Sequence, residues 1–219
     1  MRRLLAGCRL LTLTGVGGVG KSRLVLRAAR QCERVFRDGV WLVELAGLTD
    51  AALVPAAVAR GLGVPDEPPA HMEEALRDHV GRRRLLLVLD NCEHLLAACA
   101  RLVARLLREC PNAVVLTTSR EPLGVEGEVV YPVPPLGLPD PDGEPAGDPT
   151  RAEAVTLFVE RAKASLPGFH LRPENQEAVF RLCRSLDGIP LAIEMAAVRL
   201  RALSLDQIVE RLQGQLDLP

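Results

Sequence analysis

Residues 15–22 read Gly15-Val16-Gly17-Gly18-Val19-Gly20-Lys21-Ser22 and match G-x-x-x-x-G-K-[ST] at every fixed position. No other stretch restricts the fold as much, because this pattern works only where a strand runs into a tight loop and the loop into a helix. Both flanks are present: residues 10–14 are a β-rich apolar run, and residues 23–31 repeat Leu24, Ala28 and Ala29 at helical spacing. A glycine-rich turn lets successive backbone N–H groups converge on an anion, since no Cβ atoms block the approach. The helix behind it adds its positive dipole end. Gly15, Val16, Gly17, Gly18, Val19, Gly20, Lys21, Ser22 and Arg23 are therefore the expected phosphate-binding set. In it Lys21 reaches the β- and γ-phosphates as a point charge, and the Ser22 hydroxyl ligates Mg²⁺.

The 219 residues suffice for one α/β domain and a smaller attachment, and 48% hydrophobic with 25% charged residues fits a globular chain with a real core. A formal net charge of -1 offers no electrostatic reason to expect nucleic acid or an anionic membrane as partner. Lys21 and Lys163 are the only lysines, so one of the two lies in the loop. The cysteines, at positions 8, 32, 92, 99, 110 and 183, form no C-x-x-C pair and no metal-ligand spacing with the histidines, which favours a reduced, cytoplasmic compartment. Met1 to Cys8 superficially resembles a lipoprotein cleavage site, but its apolar stretch is too short for a signal peptide, and export is not expected. Apolar runs elsewhere are broken by charge before membrane-spanning length.

Residues 39–45 read as a second strand covered on both faces, with Trp41 as core packing, and helices are expected over 51–60 and 72–80. Arg82-Arg83-Arg84 reads as a solvated strand entry rather than a nucleic-acid patch, as no aromatics interleave it. Residues 85–89 then form a buried parallel strand that ends in Asp90. An acid at the carboxyl end of such a strand points into the crevice where open α/β sheets bind ligands, which places Asp90 to hold Mg²⁺ beside Ser22. Glu93 can orient or deprotonate an attacking water, and it equally suits the start of a helix over 94–109, where an acid complements the dipole. Residues 113–118 are a further strand; Arg120, just past its end, either reaches the γ-phosphate or is one more surface arginine. A last strand covers 128–133, residues 134–150 form a linker dense in Pro, Gly and Asp, and helices follow over 151–165, 173–185, 190–201 and 204–213. Ser204 with Gln207 makes a capping box, and Pro190 reads as a first helical residue after a glycine.

Taken in order, LLTLTGVGGVGKSRL, LLLVLDNCEHL, VVLTTSREPLG and LCRSLDGIPLAIEMAA resemble the signal-transducing ATPases of the STAND class, and more narrowly the bacterial NB-ARC-like regulatory ATPases. The resemblance covers residues 9–212. It implies an α/β P-loop NTPase three-layer sandwich with a parallel sheet of the additional-strand type, the sensor strand lying between the Walker A and Walker B strands. A small all-helical domain follows and closes over the nucleotide. On these lines residues 1–133 are the nucleotide-binding domain, 134–150 the linker and 151–219 the helical domain. The resemblance places Walker A on Gly15, Gly20, Lys21 and Ser22, the magnesium acid on Asp90 and the sensor arginine on Arg120. It moves Pro190 from a capping role to contact with the adenine base, flanked by Gly188 and Ile189.

Asn91 stands where many relatives carry a second acid, which implies weak hydrolysis. The upstream G-R-E type motif and the following winged-helix domain are not in the 219 residues, so the expectation is the nucleotide-binding core of a larger regulator, or a truncated product. The expected function is an ATP/ADP switch with Mg²⁺ as cofactor, reset by slow hydrolysis through Lys21, Glu93 and Arg120. Its expected partners are other protein domains or subunits, with no direct nucleic-acid contact and no membrane. A small-molecule or nucleotide kinase and a non-hydrolysing scaffold are the alternatives. A GTPase is disfavoured because no N-K-x-D segment is present to read guanine.

Overall fold

The structure is a computed structural model and describes residues 2–65, 67, 68, 70–139 and 152–216. It divides into two compact units, residues 1–17 with 21–133, and residues 18–20 with 134–219. The first unit is built on a five-stranded, fully parallel sheet of β1 (Leu10–Thr14), β2 (Val40–Glu44), β3 (Leu86–Asp90), β4 (Val114–Thr118) and β5 (Glu128–Pro132), ordered β2-β3-β4-β1-β5. β4 thus lies between β1 and β3, as the resemblance implied.

Alternation along the strands explains the layering. Leu86 and Val88 pack with Leu11, Leu13 and Leu116 against α1 (Arg2–Gly7) and α2 (Lys21–Cys32). Leu87 and Leu89 share the opposite face with Leu10, Val43 and Val115. There they meet α3 (Val54–Gly61), α4 (Met72–Val80) and α5 (Leu96–Glu109). A strand buried on both faces needs apolar residues at successive positions, and the β3 run supplies them.

β2 is an edge strand of the sheet, with Trp41 and Val43 packed on the core of one face and Val40 on that of the other; Trp41 is half-buried, and its indole N–H donates to Asp38 O at 3.1 Å. Glu93 begins a 3₁₀ turn, Glu93–Leu95, in which the Leu95 N–H bonds Cys92 O at 3.0 Å and which runs directly into α5 at Leu96. A 3₁₀ turn is a common way for an α-helix to begin, so Glu93 lies at the amino end of this helical run.

The second unit contains α6 (Glu153–Ser165), α7 (Pro173–Ser185), α8 (Pro190–Arg199) and α9 (Leu205–Leu216) around a core with an edge-to-face pair, Phe158 and Phe169, 5.9 Å between centroids. The capping box forms: Gln207 N–H donates to Ser204 Oγ, and Ser204 N–H to Gln207 Oε1. Residues 134–139 of the expected linker lack regular secondary structure, yet Leu136 packs on this core and its N–H donates to Gly188 O at 3.0 Å. Residues 140–150 of that linker lie outside the described residues. No helix among the described residues is long and apolar enough to cross a membrane.

Candidate nucleotide site

The carboxyl ends of β1, β3 and β4 deliver the candidate residues of the first unit to one place. β1 stops at Thr14, and Gly15, Gly18 and Gly20 then turn the chain with φ of 143°, 80° and 100°. A β-carbon resists such values, which is why glycine recurs through this loop. Val16 is exposed and Val19 buried. Lys21 is the first residue of α2, so its backbone sits where the helix leaves N–H groups without intrahelical partners.

Lys21 is only 8% exposed, and its ammonium donates to the carbonyls of Gly15 (2.7 Å) and Val16 (3.1 Å). Burial lowers its pKa; Glu93 and Asp90 act against that, and Arg120 adds to it. A desolvated cation held by two neutral carbonyls is poised to exchange them for an anion, a stronger partner for the same N–H donors.

Ser22, the next residue of α2, donates its Oγ hydrogen to Asp90 Oδ1 at 2.9 Å. The Thr118 hydroxyl donates to the same oxygen and accepts the Asn91 N–H at 2.9 Å. Cys92 N–H reaches Thr118 O at 2.9 Å, and Ser119 N–H reaches Leu13 O at 3.1 Å, so the ends of β1, β3 and β4 are laced together. Thr118 and Ser119 are almost fully buried and Asp90 is 7% exposed. Ser22 and Asp90 offer the two protein oxygens that Mg²⁺ needs when phosphate oxygens and water complete its octahedron. The donor set fits that ion.

Glu93 and Arg120 complete the cluster. Arg120 Nε lies 3.7 Å from Glu93 Oε1, and Arg120 Nη2 comes within 3.9 Å of where a β-carbon on Gly17 would stand. Glu93 Oε2 is buried without a hydrogen-bond partner among the described residues. A buried carboxylate oxygen left unpaired costs about 1–3 kcal/mol, more when charged, and marks where a water or ligand belongs. Arg23 is exposed on α2. Pro190 belongs to the second unit, as the first residue of α8, behind Gly188 at φ 66°.

Two residues carry more than their sequence signals suggested. Thr118 was only the end of a strand, and it proves to be the bridge between Asp90 and the Asn91 backbone; a threonine that ends an apolar strand just before Ser-Arg was the available clue. Asn91 counted as a missing acid, yet its φ of 66° gives it a backbone role, since Asn and Asp tolerate the left-handed region better than other side chains.

The profile of the AAA domain matches residues 3–123. A Mycobacterium tuberculosis protein named as a candidate HTH-type transcriptional regulator is 48% identical over 212 residues, 97% of this chain and 22% of that protein. The regulatory protein AfsR of Streptomyces griseus is 31% identical over 198 residues, 87% of this chain and 18% of AfsR. The chain therefore spans about a fifth of the length of these curated relatives. Among solved structures, a STAND protein with a tetratricopeptide repeat sensor from Pyrococcus horikoshii superposes with a TM-score of 0.55 at 15% identity, covering 100% of this chain and 32% of that one. At that identity the likeness concerns the fold alone. With the profile spanning the loop, the Asp90 strand and the Arg120 strand, the chain belongs to the AAA-domain family of P-loop NTPases.

Proposed function

We propose that this chain is the ATP/ADP-binding switch module of a signal-transducing or transcription-regulating ATPase, NB-ARC-like within the STAND class, acting in the cytoplasm. The observation that carries the reading is the state of Lys21: a buried ammonium at a helix N-terminus, hydrogen-bonded among the described residues to the Gly15 and Val16 carbonyls, one residue from the Ser22–Asp90 pair. Phosphate oxygens replace those carbonyls, and the loop amides from Gly15 to Ser22 with Arg23 surround them. When bound, Mg²⁺ supplies charge neutralisation between the phosphates, and Ser22 and Asp90 are the residues that hold it. Glu93 orients the attacking water through its unpaired oxygen, and Arg120 senses the γ-phosphate. Asn91 in place of a second acid keeps turnover slow, which suits a switch. Pro190 is assigned to the adenine base by the resemblance alone. The names borne by the mycobacterial and Streptomyces relatives support a regulatory setting, in which other domains or subunits read the nucleotide state.

The test is direct titration of ATP and ADP onto the purified 219-residue chain with Mg²⁺. Lys21→Ala removes a charge-assisted donor set worth about 3 kcal/mol, so affinity falls about a hundredfold or more. A wild-type chain with no measurable affinity for either nucleotide defeats the reading. Turnover of wild type against Glu93→Gln separates a resettable switch, in which the variant is slower, from a scaffold, in which the two rates are equally near zero.

A further inference from the structure

His94 follows Glu93 in the chain, and its ring is placed by two main-chain acceptors distant in sequence: Nε2 lies 2.8 Å from Leu48 O and 3.1 Å from Leu45 O. Carbonyl oxygens only accept, so Nε2 carries a proton and shares it between them. Leu45 and Leu48 belong to the turn that follows β2, which is closed by the bond from Leu48 N–H to Leu45 O at 2.9 Å. Leu45 is fully buried, and its own N–H donates to Asp90 O at 2.9 Å. A circuit results, running from Asp90 to Leu45 through that bond, from Leu45 to His94 through the imidazole, and back to Asp90 along the Glu93, Cys92 and Asn91 backbone.

Glu93 is the residue this circuit encloses. Its Oε1 lies 3.7 Å from Arg120 Nε, beyond hydrogen-bond length, and its Oε2 has no hydrogen-bond partner among the described residues. The carboxylate is therefore placed by the backbone that carries it. On the Asp90 side that backbone is pinned to β4, with Asn91 N–H on Thr118 Oγ1 and Cys92 N–H on Thr118 O, each at 2.9 Å. On the other side it is pinned by Leu95 N–H on Cys92 O and by the His94 ring. We infer that His94 is a positioning residue: its imidazole, anchored on the Leu45 and Leu48 carbonyls, holds the Glu93 turn in register with Asp90 and so sets the carboxylate for the water it orients. The inference rests on the role proposed for Glu93. A loosened turn costs rate and leaves nucleotide affinity alone, because the bonds of His94 go to neither the phosphate loop nor Ser22.

The test uses the full chain with His94→Phe, which keeps a flat ring and loses the donor, and His94→Gln, which keeps an N–H donor; Trp41 fluorescence checks that each is folded. Without nucleotide, amide hydrogen exchange at Leu48 and Leu95 quickens about tenfold in His94→Phe, as for the loss of one hydrogen bond, and stays at the wild-type rate in His94→Gln. Single-turnover ATP hydrolysis slows about tenfold in His94→Phe and is restored to within about threefold in His94→Gln, while ADP affinity is unchanged in both. Added to Glu93→Gln, His94→Phe slows hydrolysis no further, because it acts through Glu93. Unchanged exchange or wild-type turnover in His94→Phe, failure of His94→Gln to restore the rate, a loss of ADP affinity, or further slowing of Glu93→Gln overturns the inference. Glu93→Gln separates the two failures: if it is slow while His94→Phe is fast, this inference alone falls. If it turns over as fast as the wild type, the role of Glu93 falls and takes the inference with it.

Discussion

Thr118→Val is the substitution that most directly probes how the site is built. Valine keeps the shape and β-branching of threonine, so packing on the strand is preserved and only the hydroxyl is lost. That hydroxyl makes two hydrogen bonds in a place that is 1% exposed, one donated to Asp90 Oδ1 and one accepted from the Asn91 N–H. The Asn91 N–H then has no acceptor, at a cost of about 1–3 kcal/mol, and Asp90 loses one of two donors to the same oxygen, a bond to a charged group worth about 1.5–3 kcal/mol. Ser22 still reaches Asp90 at 2.9 Å, and neighbouring contributions do not add in full, so the expected loss is about 2–4 kcal/mol. Trp41 is the single tryptophan and lies on β2, so its fluorescence in urea reports the first unit without interference from the helical one. With a urea dependence of about 2 kcal/mol/M, the midpoint drops by about 1–2 M. A shift below about 0.3 M, with the slope unchanged, refutes the claim that Thr118 secures the Asp90 turn.

Two further outcomes follow from geometry elsewhere. Gly188→Ala places a β-carbon 2.4 Å from Leu136 O at a φ of 66°, so the second unit loses more than about 2 kcal/mol from left-handed strain and backbone displacement together. Gly168→Ala, whose β-carbon meets nothing within 4 Å, stays within about 0.5 kcal/mol; thermal unfolding followed by far-ultraviolet circular dichroism compares the two. His79 has its pKa lowered from the ordinary 6.5 by burial and then by Arg83, whose Nη1 lies 2.6 Å from its Nε2. Its unfolded form therefore binds the proton more readily, so stability is full above 6.5 and declines as pH falls below that value towards the folded pKa. Trp41-detected unfolding between pH 7.5 and 5 shows this slope, and His79→Gln flattens it.

What local sequence could express, it expressed well. The Leu10–Thr14 strand, the glycine-rich turn and α2 follow from residues within a few positions of one another, because periodicity, positive-φ glycines and helix termini depend on near neighbours. The β3 strand ending in Asp90 was legible for the same reason, a continuous apolar run closed by an acid. That β2 lies at the edge of the sheet was not legible, because an edge strand and a central one can share the same apolar letters, and only the pairing partner tells them apart. The 3₁₀ start of the run into α5 was less legible, because the bond from Leu95 N–H to Cys92 O is a choice of register that propensity does not resolve.

The sequence alone determined that a glycine-rich loop of the pattern G-x-x-x-x-G-K-[ST] sits between a strand and a helix, with Lys21, Ser22 and Asp90 of the chemical types that the proposed function needs. Tertiary structure decided which of them meet. Asp90 is 68 residues from Ser22 and 28 from Thr118, and nothing local specifies that β4 inserts between β1 and β3 to bring the three oxygens together. Strand order and register come from burying alternate faces against helices supplied by distant parts of the chain. The same long-range packing leaves Glu93 Oε2 without a hydrogen-bond partner among the described residues, close to Arg120, and gives Asn91 its left-handed backbone.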